Sequence, residues 1–135
     1  MKSPAQEAYE AIKPKLLRAP GMIEEIERRL LFKAAFNCRA LPVVEFGAFF
    51  GASTLALASG LEARRLNKHP LLSIDAFEVD KDHFFHKHVI NYAKLCGSEH
   101  LLRESGDKLN WMRVTESVLG DKIKNVKLIK GMVNN

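Results

Sequence analysis

The chain has 135 residues, of which 47% are hydrophobic and 27% are charged, a balance typical of one folded domain and not of a disordered segment. Its net charge of +5 comes from 21 basic and 16 acidic residues that are interspersed, which argues against a specific nucleic-acid groove. No apolar run approaches the roughly 20 residues that cross a bilayer, and the N-terminal segment lacks the apolar core of a signal peptide. We therefore expect a cytoplasmic protein that does not contact a membrane.

Two helices are predicted before the first strand. Apolar residues recur at helical spacing over residues 3–17, a pattern that Pro14 interrupts, and again over residues 22–37. We expect residues 1–38 to form an N-terminal helical cap or an oligomerisation element. Residues 39–135 are then expected to form the second domain, which contains the strand patterns.

Strand and helix patterns alternate through the rest of the chain. The predicted strands cover residues 41–46, 71–74 and 126–129. The predicted helices cover residues 53–67, 81–95 and 107–119, the last with Asp107 as its cap and Gly120 as its end. This alternation predicts parallel strands joined by right-handed crossovers. The expected fold is α/β, a three-layer sandwich preceded by two helices.

Only three strands are visible in the sequence, whereas open parallel sheets of this kind usually have more. We therefore expect a sheet that is apparently truncated after its third strand, with one apolar edge left unpaired. Such an edge predicts either a homo-oligomer or a partner that covers it.

Two glycines, Gly47 and Gly51, lie between the first predicted strand and the helix that follows. A phosphate-binding P-loop needs G-x-x-x-x-G-K-[ST], but here the spacing is one residue short and the lysine is absent. A dinucleotide loop needs G-x-G-x-x-G, and Phe49 replaces its middle glycine. The remaining pattern is E-x-G-x-x-x-G-x-[ST], which begins at Glu45. The two glycines could also serve only close packing between a helix and a strand.

This pattern resembles the first motif of class I S-adenosylmethionine-dependent methyltransferases, most closely that of small-molecule O-methyltransferases. The resemblance implies that Glu45 faces the methionine amino end of the cofactor. It also implies that Gly47 and Gly51 let the backbone pass close to the methionine and ribose. The loop residues implied in binding S-adenosylmethionine are Glu45, Gly47, Ala48, Phe49, Gly51 and Ser53.

A second acidic residue, Asp75, ends the second predicted strand thirty positions after Glu45. Its two carboxylate oxygens can accept both hydroxyls of a ribose, a geometry that parallel α/β folds reuse for nucleosides. By the same resemblance Asp75 binds the ribose, while Ala76 and Phe77 line the adenine. An acid in this position can also simply cap the following helix.

The resemblance implies a Rossmann-like sandwich in which residues 39–135 are a partial Rossmann-like cofactor-binding domain. It implies the S-adenosylmethionine-binding part of a methyltransferase, with a small-molecule acceptor whose methylated atom is expected to be an oxygen. In that family the groups that position the acceptor follow the fourth and fifth strands, so we assign no catalytic residue and expect this chain alone to be inactive. The alternative is a non-catalytic α/β module, a degenerate methyltransferase half that acts by self-association or by binding a partner.

No metal site is predicted. His83, His86 and His88 form a cluster, but no further ligands are near in sequence, so a surface or half-buried group of histidines is favoured. Trp111, the only tryptophan, is expected in the core or at a partner surface.

Overall fold

The structure is a computed structural model that describes residues 1–131. Met132 to Asn135, the end of the second predicted domain, lie outside the described residues. Within residues 1–131 the helices are α1 (Pro4–Arg18), α2 (Glu25–Phe36), α3 (Ala52–Ala63), α4 (His86–Leu95) and α5 (Met112–Leu119). The strands are β1 (Val44–Phe46), β2 (Leu71–Asp75), β3 (Glu78–Asp80), β4 (Arg103–Ser105), β5 (Lys108–Asn110) and β6 (Val126–Lys130). None of these helices is long and apolar enough to cross a membrane.

The main sheet contains the three predicted strands. Its order is β1-β2-β6, and both pairings are parallel. Val44 lies opposite Leu72, and Leu71 lies opposite Val126, so β2 is the middle strand. The predicted α/β fold with parallel strands is therefore confirmed.

The two faces of this sheet differ in how far helices cover them. Because β1, β2 and β6 follow one another in a single direction across the sheet, right-handed crossovers place α3 and α5 on the same face, and these two helices are in contact. Glu45 and Ser73 point to that face and are buried. Val44 and Phe46 alternate with Glu45, so they point to the opposite face, where they are 43% and 65% exposed. The predicted three-layer arrangement stays a prediction.

The first core lies between the sheet and the helices α1, α2 and α3. Gly60 of α3 allows close approach to α2, since a Cβ there would lie 2.3 Å from the Phe32 carbonyl oxygen. The expected interruption at Pro14 is wrong, because α1 is continuous from Pro4 to Arg18. Proline removes one backbone hydrogen bond, and the buried side chains Tyr9 and Leu16 hold the helix to the core on both sides of it.

The second core surrounds a small antiparallel sheet of order β3-β5-β4, which the sequence patterns did not predict. Strands β4 and β5 form a hairpin in which Ser105 pairs with Lys108. The residues between them are Gly106, with a φ of 61°, and Asp107. Glycine at the first central position of a two-residue loop is what a type II′ hairpin turn requires.

Two of the predicted helix starts are wrong, because their residues belong to turns of this small sheet. Asp107 belongs to the hairpin turn and does not cap a helix; α5 begins at Met112, whose N–H is accepted by Asn110 Oδ1. Residues 81–85 are not helical either, because the chain leaves β3 in a turn in which the His83 N–H bonds the Asp80 carbonyl. The predicted end of α5 at Gly120 is confirmed.

Candidate functional site

Asp75 connects the two predicted motifs, the glycine loop after β1 and the acid at the end of β2, at the carboxyl edge of the main sheet. Its Oδ2 accepts the Phe49 N–H at 2.9 Å, and its Oδ1 accepts the Phe77 N–H at 2.8 Å. Both donors have left-handed backbones, with φ of 46° at Phe49 and 57° at Phe77. A bulky residue adopts this conformation only where its surroundings impose it. The carboxyl group therefore fixes the shape of the loops that follow β1 and β2.

These two hydrogen bonds determine which acceptor sites of Asp75 remain for the predicted ribose contact. Each carboxylate oxygen has about two lone-pair sites, and each oxygen of Asp75 uses one of them for a backbone N–H. A further acceptor site on each oxygen is left for a ligand. The ribose role of Asp75 stays a prediction. Its structural role is to hold the backbone at Phe49 and Phe77 through these two hydrogen bonds.

Glu45 lies in a different environment. Its carboxyl group is buried on the α3 face of the sheet, where Oε1 accepts the Thr54 hydroxyl of α3 and, at 2.8 Å, the Ser73 hydroxyl of β2. The side chain thus joins β1 to its neighbouring strand and to the covering helix. Its predicted contact with the cofactor amino group stays a prediction.

The glycine loop is held by hydrogen bonds to both backbone groups of one residue, Phe49. Gly47 and Gly51 have φ of 89° and 98°, and Gly51 immediately precedes α3. Between them, the Phe49 carbonyl accepts the buried Thr115 hydroxyl at 2.6 Å, while the Phe49 N–H is bonded to Asp75. Thr115 was not singled out from the sequence, since it lies 66 positions from Phe49 and belongs to no motif.

A small pocket lies over this loop. It is lined by Gly47, Ala48, Phe49 and Ser53 and by Gly21, Met22 and Ile23 of the α1–α2 linker, and its volume is about 100 Å³. The linker is fastened by the Gly21 N–H, which donates to Tyr92 Oη at 2.8 Å. Gly21 is also pressed against the start of α3, because a Cβ there would lie 2.3 Å from the Ala52 Cβ.

A larger cavity of about 540 Å³ opens beside the ends of β2 and β6. Its lining residues are Ala76, Glu78, Val79, Asp80, His83, Phe85, Lys108, Trp111, Lys130 and Gly131. Two ion pairs lie on its wall, Lys108–Asp80 at 2.7 Å and Lys130–Glu78 at 2.8 Å. The hydrogen bond from Lys108 lowers the pKa of Asp80, and the same bond raises the pKa of Lys108.

Five of the nine predicted site residues line one of these two cavities, whereas Glu45, Gly51, Asp75 and Phe77 line neither. Ala76 lines the larger cavity, four loop residues line the smaller one, and Phe77 is fully buried. The Phe49 ring lies at the boundary, with its centroid 5.8 Å from those of Phe85 and Trp111. Trp111 is buried as expected and also lines the larger cavity. Its sequence context contained no signal for that second position.

The histidine cluster is spread over two elements. His83 lies in the turn after β3, whereas His86 begins α4. Residues 1–131 contain no group of three or more His, Cys, Asp or Glu side chains arranged to hold a metal ion. Cys38 and Cys96 are free and half-buried, and burial raises the pKa of the Cys96 thiol.

No protein-family model matches the chain, and neither a curated protein nor a solved structure matches it.

Proposed function

We propose that the chain binds S-adenosylmethionine at the carboxyl edge of the main sheet, with the adenosine part in the cavity of about 540 Å³. In this proposal the chain is the cofactor-binding part of a methyltransferase that acts on a small-molecule acceptor, most often an oxygen. The proposal assigns no catalytic residue to the chain.

The observation that carries the proposal is the position of this cavity. It is lined by Ala76 and Gly131, which follow directly after β2 and β6 and so stand on either side of one crevice. Open α/β sheets bind ligands outside the carboxyl ends of their strands. The volume of about 540 Å³ lies in the range of roughly 300–1,000 Å³ that is usual for small-molecule sites.

The lining also suits a purine nucleoside. Val79, Phe85 and Trp111 supply apolar and aromatic surface against which a flat base can pack. Asp75 lies next to Ala76, with one lone-pair site left on each oxygen for ribose hydroxyls.

The order of the strands supports a Rossmann-like arrangement. The order β1-β2-β6 corresponds to the 1-2-3 half of a doubly wound sheet, in which the first strand is central. In a full three-layer sandwich, further strands would pair with the free edge of β1, and helices would cover Val44 and Phe46.

The methionine part of the cofactor requires a local movement. The resemblance assigns it to the glycine loop, yet the pocket there measures only about 100 Å³ because Gly21, Met22 and Ile23 lie across it. We propose that the linker moves outward when the cofactor binds. The Gly21–Tyr92 hydrogen bond is one of the contacts that this movement would break.

Calorimetry with S-adenosylhomocysteine tests the proposal. Wild-type protein should bind at ligand concentrations up to about 1 mM. Ala76→Leu, which fills the cavity, should weaken binding by roughly tenfold or more, equivalent to about 1.4 kcal/mol. Ala34→Leu is the matched control, because Ala34 is exposed on α2, which contributes no residue to the cavity lining, and the affinity of this variant should equal that of the wild type. No heat from the wild type, or equal affinities for all three proteins, would contradict the proposal.

The second candidate function is an interaction module. The observation that favours it is the exposure of Val44 and Phe46 on β1, which pairs with β2 alone among the described strands. Edge strands with exposed apolar residues are prone to pair with another chain. Light scattering should then find an oligomer that Phe46→Lys dissociates. Phe84→Lys, the same change at an exposed ring in the turn before α4, should leave the oligomer intact, and a wild-type monomer would reject this candidate.

A further inference from the structure

A further hollow, of about 310 Å³, lies between α1 and α3, and we name it the α1–α3 hollow. Its apolar wall consists of Ala8, Ala11 and Ile12 of α1 together with the buried Phe32 of α2. The three α1 residues are spaced i, i+3 and i+4, so they form one face of that helix. The hollow shares no lining residue with the larger cavity or with the pocket over the glycine loop. What it binds is therefore independent of the proposed function.

The α3 side of the hollow carries a buried hydroxyl group that has no partner. Ser59 is 3% exposed and lines the hollow, and its Oγ makes no hydrogen bond within residues 1–131. A serine inside a helix can bond a carbonyl of the preceding turn, but Ser59 does not use this alternative. A buried polar group without a partner costs free energy, so a ligand that supplies the partner gains affinity.

An ion pair completes the polar side of the hollow. Lys122 belongs to the 3₁₀ helix Gly120–Asn125, and its Nζ lies 2.7 Å from Glu62 Oε2 of α3. The contact lacks hydrogen-bond geometry, so among the described residues Glu62 Oε2 also remains an unused acceptor. A ligand carboxylate would repel Glu62, and a ligand ammonium group would repel Lys122. Because the pair is already neutral, a ligand of either charge would leave one charge in excess, and an uncharged ligand is favoured.

The volume of the hollow sets the size of the ligand. At the roughly 30 Å³ that a water molecule occupies in the liquid, about 310 Å³ corresponds to about ten non-hydrogen atoms. The apolar wall is mainly aliphatic, and the polar groups are contributed by α3 and the 3₁₀ helix. This division suits a molecule with an aliphatic body and one polar end. A hydroxyl or primary amide group can both donate and accept a hydrogen bond, as Ser59 and Glu62 require.

We infer that the α1–α3 hollow binds a small uncharged aliphatic molecule with one polar end, a short-chain alcohol or primary amide. The alkyl chain packs against Ala8, Ala11 and Ile12. The polar end forms hydrogen bonds with Ser59 Oγ and Glu62 Oε2. Such a ligand contacts α1 and α3 together, so it strengthens the attachment of the N-terminal helix to the helix that covers the sheet.

Titration with 1-hexanol, followed by amide chemical shifts and calorimetry, tests the site. Wild-type protein should bind with a dissociation constant on the order of 1 mM, as expected for about seven non-hydrogen atoms. The shifts should centre on the amides of Ala8, Ile12 and Ser59. Ala11→Leu fills the hollow from an exposed helical position and should weaken binding roughly tenfold or more. Ala34→Leu, the same change at an exposed alanine of α2 outside the lining, should have no effect.

Ser59→Ala tests the hydroxyl group by two readouts with different signs. The variant should bind 1-hexanol roughly three- to tenfold more weakly, because the polar end loses one partner. The unliganded variant should be as stable as the wild type or more stable, because the substitution removes a buried hydroxyl that has no partner. A loss of stability without a loss of affinity would overturn the contact, since the hydroxyl would then serve the fold and not the ligand.

Charged probes of the same chain length test the ligand class. Hexanoate and hexylammonium should each bind about tenfold more weakly than 1-hexanol, because the Glu62–Lys122 pair already balances its own charge. Equal affinity for either ion overturns the uncharged class. An absence of shifts at about 10 mM 1-hexanol, or shifts that Ala11→Leu does not reduce, overturns the site itself. S-adenosylhomocysteine takes part in none of these measurements, so their failure leaves the proposed function standing.

Discussion

Glu45 and Asp75 lie on neighbouring strands of one sheet, but their carboxyl groups have different surroundings. Glu45 is buried beneath α3 and accepts two side-chain hydroxyls through a single oxygen. Asp75 is half-buried at the strand end and accepts two backbone N–H groups, one through each oxygen. The first acid joins a helix to the sheet, and the second shapes the loops at its edge.

This difference shows how one sequence pattern serves two physical roles. An acid at or near the end of a parallel strand can support the core or line a ligand site, and the partners of its oxygens decide which. A ligand bonded to Asp75 could use the second acceptor site of each oxygen, whereas a ligand bonded to Glu45 through Oε1 would compete with Thr54 and Ser73.

The largest expected effect comes from Glu45→Ala. The substitution leaves the hydroxyls of Thr54 and Ser73 buried without their acceptor, so the free energy of unfolding should fall by about 3 kcal/mol. Urea unfolding followed by the fluorescence of Trp111 measures this change.

A double-mutant cycle with Ser73→Ala identifies the cause. The two substitutions should be non-additive by about 1 kcal/mol or more if the Glu45–Ser73 hydrogen bond is responsible. Additive losses would mean that the loss comes from the volume of the side chain and not from the bond.

A smaller loss of stability is expected for Asp75→Asn, with a larger effect on the ligand. The amide group cannot accept both backbone N–H bonds, so the free energy of unfolding should fall by about 2 kcal/mol. The affinity for S-adenosylhomocysteine should fall roughly tenfold by calorimetry, but less than about threefold for Glu45→Gln. Equal losses of affinity would remove the distinction between the two acids.

Thr115→Val tests the second hydrogen bond that holds Phe49 in the glycine loop, the bond to its carbonyl oxygen. Valine preserves the shape of the side chain but leaves the Phe49 carbonyl without its hydroxyl donor. We expect a loss of about 1 kcal/mol in the free energy of unfolding. Thr115→Ser, which retains the hydroxyl, is the control and should retain most of the stability lost by the valine variant.

The weakest effect is expected for Asp80→Asn at the wall of the larger cavity. Lys108 lowers the pKa of Asp80, so the ion pair stabilises the fold above the ordinary aspartate pKa of about 4. This contribution is lost as the pH falls through the lowered pKa of the folded protein. The variant should therefore be slightly less stable than the wild type at pH 7, and the difference should disappear in acid. A difference that grows as the pH falls would contradict this assignment.

The main sheet could be predicted because its signals are local. The β-branched and apolar run of Val126 to Lys130 and the strand that ends at Asp75 are recognisable without knowledge of their neighbours. The hairpin was missed because Gly106–Asp107 is equally typical of a helix start, and three-residue strands are too short to have a clear period.

The candidate site could be predicted only in part from the sequence, for a related reason. The glycine spacing and the acid at position 75 are visible in the chain, but their connection through the Phe49 N–H spans 26 positions. The left-handed backbone of Phe49 also contradicts the local preference of a bulky residue, and tertiary hydrogen bonds impose it. Such bonds are not encoded by any short pattern.

Amide chemical-shift mapping with S-adenosylhomocysteine tests the location of the cofactor site most directly. The proposed site predicts shifts at Phe49, Ala76, Phe77 and Gly131, the residues around Asp75 and the larger cavity, with little change at Val44 and Phe46. The absence of shifts, or shifts confined to the exposed face of β1, would contradict cofactor binding at the carboxyl edge of the sheet.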